Sequence, residues 1–170
     1  MSPRFMGWCG LVLCAQVLAP EFAFAAPPVR VADRVVVEKA AHRLTLYRGS
    51  EALKTYRVAL GPHPAGPKQR QGDGRTPEGV YTVDARNERS AFHRSLHISY
   101  PNDLDRARAA ALGVDPGGAI MIHGLRNGVG WIGPVHRYLD WTKGCIAVTD
   151  AEIDEIWQSV PLGTAVEIRP

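Results

Sequence analysis

The sequence predicts a mainly β domain with two short helices, and three observations carry that prediction. Short β-branched and aromatic stretches alternate with turn-forming Gly, Pro and Ser through residues 31–100. Only two segments, 102–113 and 149–160, combine a cap with helical periodicity. No internal repeat, low-complexity tract or second-domain boundary interrupts the 170 residues, a length that suits one domain with a substantial core.

The N-terminus stands apart from that domain. Arg4 precedes an apolar run over 5–18 broken only at Gln16, and Ala23-Phe24-Ala25 is a small-x-small cleavage signature. Residues 1–25 read as a cleavable export signal, 26–30 as a Pro-containing linker and 31–170 as the folded domain. The apolar run is too short for a comfortable membrane span, so no integral span is expected after cleavage. Arg4 and Glu21 leave together, so the mature part keeps the formal charge of +3. That mild excess, without a dense Lys/Arg run, argues against nucleic acid as a partner and is compatible with an anionic polymer.

Residues 31–37 begin the domain, and 43–47 and 53–60 form a hairpin turning at Gly49-Ser50. The composition then shifts to Gly, Pro, Gln and Lys over 61–74, a long surface loop and a candidate lid or substrate rim. Thr76-Pro77-Glu78-Gly79 turns into a strand at 80–84, and a further strand covers 95–100. Asn102 caps a helix that stops at Gly113. A short apolar strand at 119–122 delivers His123 at its end, and another at 146–148 follows Cys145. Thr149 and Glu152 form a capping box for a helix whose stripe is Ile153, Ile156, Trp157 and Val160. Residues 165–168 close the domain as a strand.

The chain has three cysteines, and Cys9 and Cys14 lie in the signal. Cys145 is therefore left without an intramolecular disulfide partner in an exported protein, either an inert core residue or a reactive thiol. A free thiol titrates near pKa ~8.5, so acyl transfer needs a base to take its proton and return it to the leaving group. Histidine does both near neutral pH. His123, beside Gly124, is the candidate, and Gly144 before Cys145 permits close approach to the sulfur.

Read together, Ile122-His123-Gly124 and Thr142-Lys143-Gly144-Cys145-Ile146 resemble the signature of the L,D-transpeptidase family, the YkuD-type catalytic domain. Leu44-Thr45-Leu46-Tyr47, Val58-Ala59-Leu60-Gly61, the Gly72 to Gly79 stretch and His97-Ile98-Ser99-Tyr100 extend the resemblance over residues 31–170. It implies a YkuD-like mixed β-sandwich or cradle with two short helices. It further implies that Cys145 is the nucleophile, that His123 is base and acid, and that the Gly124 carbonyl orients the imidazole. Backbone N–H groups near Gly144 and Cys145 would meet the oxyanion. Thr142 takes the motif's hydroxyl position. Two departures stand out: Lys143 replaces a common histidine, and Ala147 a common arginine. Lys143 faces the same way as Cys145 on an extended segment and is the expected substitute cation.

The implied activity is a periplasmic cysteine acyltransferase joining peptidoglycan stem peptides by 3→3 links, with no metal or organic cofactor. Hydrolysis at the same site, as a carboxypeptidase or endopeptidase, is the alternative; a non-catalytic wall-binding module is a third reading. Other candidates complete the cleft. His97 and Tyr100 are expected as wall residues, His136 on a flap, and Arg75 either as a carboxylate binder or as a solvated loop residue. Trp141 lines the site or caps the core. The Gly-rich stretch 125–139 is either a mobile lid or an ordered connector. His42 and His63 are expected in solvent. His93 and His97 suggest zinc only if they share a helix face, and the pattern around them is that of a strand.

Overall fold

The structure is a computed structural model and describes residues 30–170; the signal and residues 26–29 of the linker lie outside the described residues. Eight strands form one mixed sheet: β1 (Arg34–Glu38), β2 (Arg43–Arg48), β3 (Glu51–Arg57), β4 (Gly79–Ser90), β5 (His93–Ile98), β6 (Met121–His123), β7 (Ile146–Ala147) and β8 (Ala165–Arg169). Their order across the sheet is β3-β2-β1-β8-β4-β5-β6-β7. Two helices, α1 (Asp103–Ala111) and α2 (Asp150–Ser159), and a 3-10 segment (Gly130–Tyr138) complete the chain. The architecture is the mainly β, two-helix one that the sequence predicts. None of the described helices is long and apolar enough to cross a membrane.

Residues two apart on neighbouring strands face one core. Val35 and Val37 of β1 and Leu44 and Leu46 of β2 are buried in one core with Val166 and Ile168 of β8. β1 and β8 run parallel, as do β6 and β7, while the remaining pairs are antiparallel. β4 is the longest strand, and its register shifts twice against β5. Its first part, Gly79 to Thr82, pairs with β8, and the stretch from Val83 to Ser90 pairs with β5. Bulges of this kind sharpen the local twist, so one strand serves two halves of the sheet. From sequence the strand ends at Asp84; the run of polar residues after it reads as loop, and only the ladder with β5 keeps it extended.

The two edges of the sheet meet again. Ala59, just beyond β3, exchanges paired main-chain hydrogen bonds of 2.9 Å with Ala147 of β7, and the Thr142 N–H donates to the Leu60 carbonyl at 3.0 Å. Asp140 reinforces the junction, accepting from the Leu60 N–H at 2.8 Å while pairing with His42 at 2.9 Å. His42 is therefore a partner of this junction and not a solvated residue. The expected strand 53–60 is a strand to Arg57 followed by this bridge.

Both helices carry the expected caps. Asn102 and Asp105 form a capping box on α1, as Thr149 and Glu152 do on α2. Ile153 and Ile156 of α2, with Val160 beyond it, are fully buried, and Trp157 packs against the same core. α2 lies over β5 and β6, which fixes the strand that ends at His123.

Candidate active site

Cys145 follows a turn built from its own neighbours. The Thr142 hydroxyl donates to the Cys145 carbonyl at 2.8 Å and accepts from the Gly144 N–H at 3.2 Å. Gly144 has φ of +114°, a region that strongly favours glycine, and a β-carbon there would overlap the Arg75 carbonyl oxygen. The glycine is thus required by the packing of loop 61–78 against the turn, not by substrate approach to the sulfur. Two expectations change with this geometry. The Thr142 hydroxyl is occupied within the turn, and the Gly144 N–H is already donated to it, which leaves the Cys145 N–H of the expected oxyanion pair.

His123 stands at the end of β6, whose parallel pairing with β7 sets Ile122 opposite Ile146 and His123 opposite Ala147. Both Cys145 and His123 therefore border one cavity of about 1060 Å³. The imidazole is buried, and its Nδ1 lies 2.6 Å from the Gly124 carbonyl oxygen. A carbonyl only accepts, so Nδ1 carries the proton and Nε2 keeps the lone pair of a base. Gly124 plays the expected orienting part. Its lack of a side chain has a different cause from the one the sequence suggests: a β-carbon would come within 2.7 Å of the Asp150 carboxylate, whose Oδ1 accepts from the Leu125 N–H at 2.7 Å.

Aromatic rings enclose the base. Phe92 lies 4.6 Å and Trp141 5.8 Å from the imidazole, centre to centre. Trp141 thus lines the site. Its indole N–H donates to Nδ1 of His136 at 3.4 Å, and His136 is buried on the 3-10 segment, whose inner side is a wall of the cavity. Within stretch 125–139, the 3-10 segment Gly130–Tyr138 borders the site and is tied to α2 by an Arg137–Glu152 ion pair.

Burial shapes the titration of all three groups. It lowers the affinity of His123 for a proton, only partly offset by the Gly124 carbonyl. It pushes the Cys145 thiol up, against the opposing effects of the Met121 N–H and the Lys68 charge. His136 is brought down to about 4, by burial first and then by Arg137. The resting pair is a neutral thiol, whose S–H points to the Ala119 carbonyl at 3.5 Å, and a neutral imidazole.

Other expected residues fall elsewhere. His97 pairs with Asp84 at 2.5 Å, and Tyr100 is buried against Tyr81 with its hydroxyl on the Pro116 carbonyl at 2.8 Å; neither borders the cavity. The alternation of β5 and the apolar core explain both placements. Arg75 touches the turn through its main chain only, and its side chain lies toward Gly66, away from the cavity. His93 is engaged by Asp154 at 2.9 Å, apart from His97. Lys143 is exposed at the cavity rim, as expected, while Ala147 is fully buried. Lys68, Phe92, Arg126 and Asp150 escape the sequence reading. Lys68 sits in the loop expected as a lid or substrate rim, with nothing there to single it out from its polar neighbours, and Asp150 is hidden inside a capping box.

A thiol and an uncharged imidazole sharing one largely apolar cavity, the imidazole turned by a main-chain carbonyl, have the make-up of a cysteine acyl-transfer site on a mixed β cradle. The family follows from the sequence as a whole: the chain belongs to the YkuD family, whose L,D-transpeptidase catalytic domain matches residues 32–168. It is 33% identical over 112 residues to the YafK protein of Escherichia coli (strain K12), an alignment covering 65% of this chain and 38% of that protein. The chain thus spans well under half the length of that relative. Among solved structures it resembles the helical cell shape determining protein Pgp2 from Campylobacter jejuni, with a TM-score of 0.62, 23% identity, and coverage of 79% of this chain and 46% of that one. An L,D-transpeptidase from Xylanimonas cellulosilytica gives a TM-score of 0.54 at 17% identity, covering 84% of this chain and 63% of that one. At such identities the likeness concerns the fold.

Proposed function

We propose that the chain is an exported, periplasmic L,D-transpeptidase that joins peptidoglycan stem peptides, with Cys145 as nucleophile and His123 as base and acid. The observation that carries this reading is the neutral thiol just before β7 and the Nδ1-protonated imidazole at the end of the adjacent parallel strand β6, bordering one cavity. His123 Nε2 takes the thiol proton as sulfur attacks the carbonyl at the L-centre of the stem's third residue. The S–C bond forms, and the oxyanion is met by the Cys145 N–H. Collapse breaks the C–N bond, and the proton on Nε2 goes to the departing D-alanine amine. An amine of a second stem then attacks the thioester, gives its excess proton to His123, and sulfur leaves as the 3→3 link forms. Residues 1–25 serve as the export signal and are removed.

Hydrolysis is the second reading. Water in place of the second amine would resolve the thioester, and Arg126 and Lys143 at the cavity rim are exposed to solvent. Mass spectrometry of the purified protein with disaccharide-tetrapeptide separates the two. A cross-linked dimer with free D-alanine is expected, lost in Cys145→Ala and lowered about 10²–10⁴-fold in His123→Ala. Tripeptide without dimer makes the protein a carboxypeptidase, and turnover surviving Cys145→Ala refutes the thiol mechanism.

A further inference from the structure

The charges around the cavity are one-sided. Lys68, Arg126 and Lys143 border it, and among the described residues no Asp or Glu does. Arg126 and Lys143 are exposed at the rim, whereas the Lys68 side chain is only 3% accessible. A buried ammonium is costly unless its donors are met and its charge is balanced. Lys68 donates to the Arg70 carbonyl at 3.0 Å and to Asp73 Oδ1 at 2.9 Å. Asp73 in turn accepts from the main-chain N–H groups of Gln69, Arg70 and Arg75. Against the cost of burial, these donors and Lys68 hold its carboxyl down at about 2.

This knot fixes the ammonium at the cavity rather than letting it swing in solvent. An ammonium has three N–H donors, and the two bonds to Arg70 and Asp73 leave one unassigned among the described residues. The loop itself is braced from both sides. Lys39 holds it through the Gly66 and Thr76 carbonyls and Glu78, and the Gln71 N–H donates to the Asp115 carbonyl at 2.8 Å, four residues before the Ala119 carbonyl that accepts a hydrogen bond from the thiol. Lys68 is also close enough for its charge to act on the Cys145 thiol. Ala147, where the family often has arginine, contributes no charge.

We infer that Lys68 is the substrate-carboxylate anchor of this site: it binds the free α-carboxylate of the residue that leaves, and so selects peptides cut next to their C-terminus. The inference rests on the acyl-transfer reading above. In a peptide the terminal carboxylate carbon is only three covalent bonds from the attacked carbonyl carbon, so both must lie near the thiol together. A cation fixed by buried bonds on the same cavity as the thiol is placed to meet that requirement. Lys143 and Arg126, on exposed and unpaired side chains, are left to attract the rest of an anionic stem.

The test compares disaccharide-tetrapeptide ending in D-alanine with the same ligand ending in D-alanine amide. Calorimetric binding to the Cys145→Ala protein avoids turnover. The acid is expected to bind about tenfold tighter than the amide, the size of one lost charge-assisted hydrogen bond. In the K68M background the two ligands should bind alike at the weaker level, and K68R should restore the preference in part. Equal binding of acid and amide to the Lys68-containing protein overturns the inference without any further variant, so a misfolded K68M does not protect it. Loss of the preference in K143M with its survival in K68M assigns the anchor to the rim and also overturns it. Failure of both ligands to bind, together with no turnover in the Cys145-containing protein, refutes the acyl-transfer reading itself and is distinguishable from either result.

Discussion

The two walls of the cavity are built on opposite terms. The wall that carries Cys145 is tied down: the Thr142 hydroxyl closes the turn, the Ala59–Ala147 bridge holds its far side, and Asp73 and Lys39 brace the loop against it. The wall formed by the 3-10 segment Gly130–Tyr138 has only His136 buried. Trp131, Val135, Tyr138 and Leu139 face water around it. Few buried apolar contacts and little main-chain bonding place a segment at the low end of local stability. On the proposed reading this difference divides the labour: the turn that carries the nucleophile lies on the braced wall, and the loosely packed wall is the one able to yield to a bulky substrate.

Breaking the braced wall should have the largest effect. In Gly144→Ala the new β-carbon meets the Arg75 carbonyl in a backbone conformation that disfavours side chains. We expect a loss of about 2 kcal/mol or more in stability and of roughly 10²-fold in turnover. Thermal unfolding and D-alanine release measure the two; a variant that melts and turns over normally would show the wall to be far softer than its bonds imply.

Thr142→Val cuts the same wall more gently. It strands the Gly144 N–H and the Cys145 carbonyl, at a cost of about 1–3 kcal/mol for buried polar groups left unmade. The loss should appear in kcat with KM nearly unchanged, because the turn, not the binding surface, is disturbed. A change confined to KM would return Thr142 to the substrate-binding part expected from the motif.

The outer wall should respond in the opposite manner. Trp131→Ala and Tyr138→Ala remove exposed rings, so stability should stay within about 0.5 kcal/mol. A severalfold rise in KM at steady kcat is the expected kinetic result, read from initial rates over a range of stem-peptide concentrations. Strong destabilisation by either change would mean that the rings are packed.

Acid should separate the walls with the smallest signal. Buried His136 has its folded-state pKa lowered to about 4, so the unfolded or opened chain takes up a proton first. The stabilisation it gives is complete above the ordinary histidine value near ~6.5 and is lost as pH falls through about 4. Protonation also costs His136 the lone pair that accepts from Trp141. Hydrogen exchange at intervals across that range should show protection falling in the 3-10 segment before the turn at Thr142 to Cys145. A simultaneous fall in both would remove the distinction between them.

Much of the frame was legible because it is local. Caps at Asn102 and Thr149, the Gly49-Ser50 turn and period-two apolar residues specify elements from a few neighbouring side chains. The thiol and imidazole were legible because each sits in a short motif. What stayed hidden is what only tertiary contact creates. β4 runs past Asp84 through polar residues because β5 pairs with it. Lys68 looks solvated until Asp73 and Arg70 are folded around it, and Phe92 offers no pattern until it meets His123. His97 and Tyr100 were assigned to the cleft by nearness to the motifs, but strand alternation and core packing send them elsewhere.

The position of β8 sets a timetable for assembly. Residues 165–169 are inserted between β1 and β4, so the two halves of the sheet are joined through a strand that is made after every other described strand. Until β8 is in place, the β1–β3 and β4–β7 ladders lack the strand that joins them, although His123 and Cys145 both sit on the β6–β7 side. Pairings this distant in sequence form late, after the long loops between them have closed. The Ala59–Ala147 bridge, which backs the Cys145 turn from the other half of the sheet, is thereby secured only after β8 has joined the two halves.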